Sequence, residues 1–118
     1  MNRLLNKTWL VIAILGLTAC ASDLDKRMVR MGNTSDFKVS ELKRADVNGL
    51  LKVQVQVENT GNSKPVSYRF RWVDQADMMV GGVEAWKPLP VDKGRIEIIE
   101  GVAPTPEAKD FRLELNSY

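Results

Sequence analysis

The chain has 118 residues, 17 Lys and Arg against 15 Asp and Glu, no histidine and a single cysteine. That inventory excludes Ser-His-Asp and Cys-His catalysis, any His-ligated zinc and any disulfide within the chain. It also argues against nucleic acid as a partner: the surplus positive charges, Arg3 and Lys7, lie in the first seven residues, and the rest balances at fifteen of each sign.

Arg3 and Lys7 precede an apolar run over residues 8–16 (TWLVIAILG), and Leu17-Thr18-Ala19-Cys20 closes it. This is the layout of a secretory signal. The run is too short for a membrane-spanning helix, which needs about 20 apolar residues. Leu-Thr-Ala-Cys resembles the lipobox of bacterial lipoproteins, in which the cysteine is lipid-modified and begins the mature chain. Two competing readings are a buried cysteine after a core helix and a plain signal cut at an Ala-x-Ala site. The expectation is a signal peptide over residues 1–19 and a membrane anchor at Cys20. Each acyl methylene buried in a bilayer contributes ~0.8 kcal/mol, so several chains on one cysteine hold effectively permanently. Ala21 and Ser22 follow the cysteine where an Asp would retain an inner-membrane lipoprotein. By Gram-negative sorting rules that favours the periplasmic leaflet of the outer membrane.

Residues 21–36 (ASDLDKRMVRMGNTSD) show no strand alternation. With Cys20 they read as a flexible tether, 20–36, spanning ~20–25 Å root-mean-square. The helical spacing of Leu24, Met28 and Met31, with Lys26, Arg27 and Arg30 between them, leaves a short amphipathic turn on anionic headgroups as the alternative.

From residue 37 to 118 the pattern is that of one β domain. Phe37 to Arg44 reads as a strand, followed by an Asn48-Gly49 turn. Leu51, Val53, Val55 and Val57 then alternate with Lys52, Gln54, Gln56 and Glu58, as in a half-buried antiparallel strand. A turn-rich loop over 59–65 leads to Val66, Tyr68, Phe70 and Trp72, opposed by Ser67, Arg69 and Arg71. Gly81-Gly82 breaks the next apolar stretch, and Val83 to Lys87 reads as a short strand ended by Pro88 and Pro90. Arg95 to Glu100 is read with Ile96 and Ile98 inward. Thr105-Pro106-Glu107 carries an N-cap, a first-turn proline and an acid, which predict one helical turn. Phe111, Leu113 and Leu115 form a last strand. Six or seven short strands at this spacing predict an all-β antiparallel sandwich. Its core should hold Val39, the residues of the valine strand, Tyr68, Phe70, Trp72, Ile96, Ile98, Phe111, Leu113 and Leu115.

The Val57-Glu58-Asn59-Thr60-Gly61 strand end and the Tyr68-Arg69-Phe70-Arg71-Trp72-Val73-Asp74 strand, behind a lipobox and ahead of Pro88 and Gly94, carry a resemblance. The chain resembles the YcfL family of small Gram-negative lipoproteins over roughly residues 35–116. The resemblance implies an immunoglobulin-like β-sandwich with no assigned function. It brings no active site. The chain departs from the family at Met78 to Trp86, where a more polar, Gly-containing turn is usual.

Few residues carry chemistry. Asp74 and Asp77 read as turn acids; a carboxylate pair for glycoside chemistry and a weak calcium site are the alternatives. Trp72 reads as core. Trp86 with Met78 and Met79 makes either an exposed apolar partner surface or further core packing. Arg69 and Arg71 either bind a carboxylate or phosphate, or pair across strands with Glu58, Glu97 or Glu114. No phosphate-binding or dinucleotide fingerprint is present. The expectation is a lipid-anchored, non-catalytic interaction module facing the periplasm, with a protein partner and no cofactor or metal. The alternative is a peptidoglycan or glycan binder that stacks tryptophan on sugar rings.

Overall fold

Strand alternation and one two-residue turn set the architecture. In the computed structural model, which describes residues 24–117, eight strands run in chain order. They are β1 (Met28–Met31), β2 (Phe37–Val47), β3 (Leu50–Asn59), β4 (Val66–Val73), β5 (Met79–Val80), β6 (Lys87–Pro88), β7 (Ile96–Val102) and β8 (Asp110–Ser117). The signal segment and Cys20 lie outside the described residues.

The larger sheet has the order β1-β8-β4-β5, with β6 also on β4; the smaller has β2-β3-β7. All pairings are antiparallel except β1 with β8, which is parallel. Asn48 (φ 54°) and Gly49 (φ 82°) join β2 to β3 in the left-handed conformation that a two-residue hairpin turn requires. The Asp46 carboxylate closes it, accepting from the Gly49 N–H at 2.9 Å.

The two inner faces form one core. β3 supplies Val53, Val55 and Val57, β4 supplies Phe70 and Trp72, and β8 supplies Phe111, Leu113 and Leu115, all with almost no exposure. Phe70 stacks on Trp72 at 5.5 Å between ring centroids and tilts against Phe111 at 5.9 Å. Aromatic pairs in such arrangements contribute beyond their buried area.

Four expectations change. Residues 24–36 belong to the domain and are not tether. Leu24 is buried in the core, the Arg27 carbonyl accepts from the Leu113 N–H, and β1 extends the larger sheet. A four-residue strand is too short to show a period of two, so the sequence hid it. Ile96 and Ile98 face solvent. The β3–β7 register sets Ile99 beside Val55 and Gly101 beside Val53, which turns Ile96 and Ile98 toward the side of Glu58 and Gln56. The Ile98-Ile99 doublet made either phase look apolar, and the true inner phase contains a glycine. Gly101 is needed there because a Cβ would lie 2.6 Å from the Phe70 ring. Residues 83–86 form no strand; pairing resumes only at Lys87 and Pro88. Thr105-Pro106-Glu107 makes a turn and not a helix, with the Ala108 N–H on the Thr105 carbonyl at 3.3 Å.

Candidate partner surface on the outer face of the larger sheet

Because β4 puts Phe70 and Trp72 inward, it must put Arg69 and Arg71 outward. The register with β8 places Arg69 opposite Glu114 and Arg71 opposite Arg112. Arg69 donates through Nε to Glu114 Oε1 at 2.5 Å, and Arg71 Nη1 lies 3.5 Å from Glu114 Oε2. Of the acids expected as partners, Glu114 is thus the one engaged. Its side chain is buried, and the two guanidiniums supply the charge that permits this.

Trp86 sits beside this pair. The Arg69 guanidinium lies over the indole, 4.0 Å from the ring centroid, and leaves Trp86 half-buried. A neighbour missed in the sequence, Glu84, closes the sheet edge between β5 and β6. Its carboxylate accepts from the Phe70 backbone N–H at 3.2 Å and from the Trp72 indole N–H at 3.1 Å. A side chain here does what a continuous strand would do, and it satisfies the buried indole. Burial, and then the Glu84 charge, push the Tyr68 hydroxyl above its usual range.

The β4–β5 turn carries the methionines. The Asp74 carboxylate accepts from the Ala76 and Met78 N–H groups, both at 2.9 Å, and Asp77 takes the left-handed conformation at φ 63°. Both acids therefore shape the turn. Asp77 also holds Arg112 at 2.6 Å. The turn leaves Met78 at 64% and Met79 at 49% exposure, and Val83 beyond it at 61%. Arg71 Nη2 points at the Met79 sulfur. Arg71 Nε is buried and has no acceptor among the described residues.

The structure thus brings Arg69, Arg71, Met79 and Trp86 to one face, with Met78 on the adjoining rim. Arg112 and Glu114 complete the face. Their outward phase was readable from the last strand, but which residue of β4 each meets was not. Among the described residues no group of three or more His, Cys, Asp or Glu side chains is placed to hold a metal.

A family model described as a protein of unknown function (DUF1425) matches residues 26–117. The chain belongs to the DUF1425 family. No curated protein matches it. Its fold is similar to the crystal structure of Campylobacter jejuni cj0090, with a TM-score of 0.66 and 25% identity over 78% of this chain and 98% of that one. A DUF1425 family member from Shewanella sp. pv-4 shares the fold at a TM-score of 0.63, with 21% identity over 75% of this chain and 86% of that one.

In this DUF1425 domain, the Asn-Thr-Gly turn is an architectural knot. Asn59 is fully buried, donates to the Val91 carbonyl at 2.9 Å and accepts from the Gly61 N–H at 3.0 Å. Thr60 binds the Asp36 carbonyl through both its N–H and its hydroxyl. A Cβ on Gly61 would lie 2.3 Å from the Asp36 carboxyl, so the close approach itself requires glycine.

Proposed function

We propose that this DUF1425 chain is a YcfL-type lipoprotein that acts as a non-catalytic interaction module. It is anchored through Cys20 in the periplasmic leaflet of the outer membrane and binds a periplasmic protein. The observation that carries this reading is the exposed Met78–Met79 turn, whose Met79 lies against Arg71, with Val83 exposed further along the same segment. Small soluble domains seldom leave several large apolar side chains together in water without a use for them, and methionines adapt to a partner's shape. The lipobox supplies the anchor. The glycan alternative has less to work with, because one face of Trp86 already carries the Arg69 guanidinium.

The test is cross-linking in cells from a photoreactive residue at Met78 of the full-length chain. One discrete protein adduct, lost in Met79→Glu while the domain stays folded, is expected. Adducts with cell-wall material alone would replace this reading with the glycan one.

A further inference from the structure

Arg71 and Arg112 stand directly opposite each other on the outer face of β4 and β8. Like charges in that position repel, and a sheet keeps them only with counter-charge nearby. The counter-charge here is short by one. Arg69 and Arg71 share Glu114, and Arg112 takes Asp77. Asp110, 3.8 Å from Arg112, is already held by Arg27 and Arg44.

The shortfall falls on one edge of one side chain. The Nε and Nη2 of a guanidinium form the edge that meets a carboxylate with two parallel hydrogen bonds. On Arg71 that edge faces no oxygen. Nε has no acceptor among the described residues, and Nη2 rests on the Met79 thioether, a weak acceptor. Met79 is about half exposed, unbranched, and on a strand of only two residues. It can leave that edge without disturbing the core.

We infer that the Nε/Nη2 edge of Arg71 is the docking point for a carboxylate carried by the partner, and that the Met79 side chain swings aside to admit it. The inference rests on reading this rim as a partner surface. A planar carboxylate fits the fork, Arg112 adds long-range attraction, and Met78, exposed next to Met79 in the chain, supplies apolar surface for whatever precedes the carboxylate.

The experiment follows the arginine Nε–Hε resonances of the ¹⁵N-labelled full-length chain in detergent micelles. The probes are sodium acetate, N-acetyl-leucine and inorganic phosphate, each against matched sodium chloride. The Arg71 resonance, assigned by its loss in Arg71→Lys, should shift saturably with both carboxylates and more tightly with N-acetyl-leucine. Met79→Ala should tighten binding several-fold, a direction that unfolding cannot mimic. Arg71→Lys, followed through the Arg112 resonance, should weaken it about tenfold, roughly 1.4 kcal/mol. No saturable shift, or no change on Met79→Ala, overturns the inference. Phosphate binding as tightly as acetate overturns the carboxylate assignment. A protein adduct from Met78 in cells without any carboxylate shift would sink this inference alone and leave the interaction module standing.

Discussion

Asp110 is the residue on which three segments converge. Its carboxylate accepts from Arg27 Nε at 2.6 Å and Nη2 at 2.8 Å, from Arg44 Nη2 at 2.6 Å and from the Phe111 N–H at 2.8 Å. Arg27 precedes β1, Arg44 lies on β2 and Asp110 begins β8, so one carboxylate ties the two sheets together. Burial pushes this carboxyl up. The hydrogen bonds from Arg27, the Phe111 N–H and Arg44 outweigh it and hold the group at about 2, below the usual 3.8. A depressed value means that the contribution is complete above 3.8 and is lost as the pH falls through about 2. The difference, discounted because solvent screens a quarter-exposed side chain, amounts to about 1 kcal/mol. Asp110→Asn should therefore lower stability at neutral pH by about that much and flatten its loss in acid. Urea unfolding of both chains at a series of pH values checks this; parallel curves down to pH 2 would show that the clamp does not titrate as described. No sequence pattern announces such a clamp, because Arg27, Arg44 and Asp110 meet only after both sheets have formed.

At the scale of elements, legibility followed length and phase. β3, β4 and β8 have eight to ten residues each, and their alternation named their inward faces correctly. The Asn48-Gly49 turn was equally plain, because few residue pairs tolerate two positive φ values in succession. β5 and β6, with two residues apiece, had no pattern to show. β7 was found but read in the wrong phase, since the inner position opposite Val53 is a glycine and the outer ones are isoleucines. The candidate partner surface was half legible. Alternation placed Arg69, Arg71, Arg112 and Glu114 outward, and Glu114 stood among three expected acid partners. Its pairing with Arg69 and the Arg71–Arg112 juxtaposition came only with the cross-strand register, and Glu84 enters through an irregular loop. β1 gives the sharpest contrast between readings. A tether would make Leu24 a surface residue, whose truncation changes stability by no more than about 0.5 kcal/mol. In the structure Leu24 is 6% exposed and packs on the core. Leu24→Ala should therefore cost about 2–3 kcal/mol, seen as a lower urea midpoint with an unchanged slope. An unchanged midpoint would return residues 24–31 to the tether.

For the whole molecule, an anchor at Cys20, as proposed, would leave the domain a shorter tether than residues 20–36. Three residues, Ala21 to Asp23, lie between Cys20 and the buried Leu24, and the four residue steps cover at most ~14 Å when fully extended. The chain comes in at a definite end of the sandwich. Arg27 and Arg44 converge there on Asp110. A shallow hollow among Arg44, Asp46, Gly49, Leu51 and Lys109 places the Asn48-Gly49 turn at the same end. A second, lined by Asp74, Gln75, Glu107 and Lys109, places the methionine turn there too. The Asp92–Gly94 turn lies at the other end, where the Gly94 N–H meets the Asn59 carbonyl. The ten residues of β3 separate the two ends by about 30 Å. With Cys20 lipidated, as proposed, the end bearing Asn48 must stay near the headgroups and the end bearing Lys93 must point away. The surface around Met78 would then face a partner that also works close to the bilayer. A photoreactive residue at Asn48 of the full-length lipoprotein should label phospholipid, and one at Lys93 should not. Inserting about 20 Gly and Ser residues after Ala21 gives a span of ~25 Å and freedom to tumble, so the contrast should disappear. Equal lipid labelling at both positions before the insertion would mean that the domain is not held by its first strand, and the short-leash geometry would fall with it.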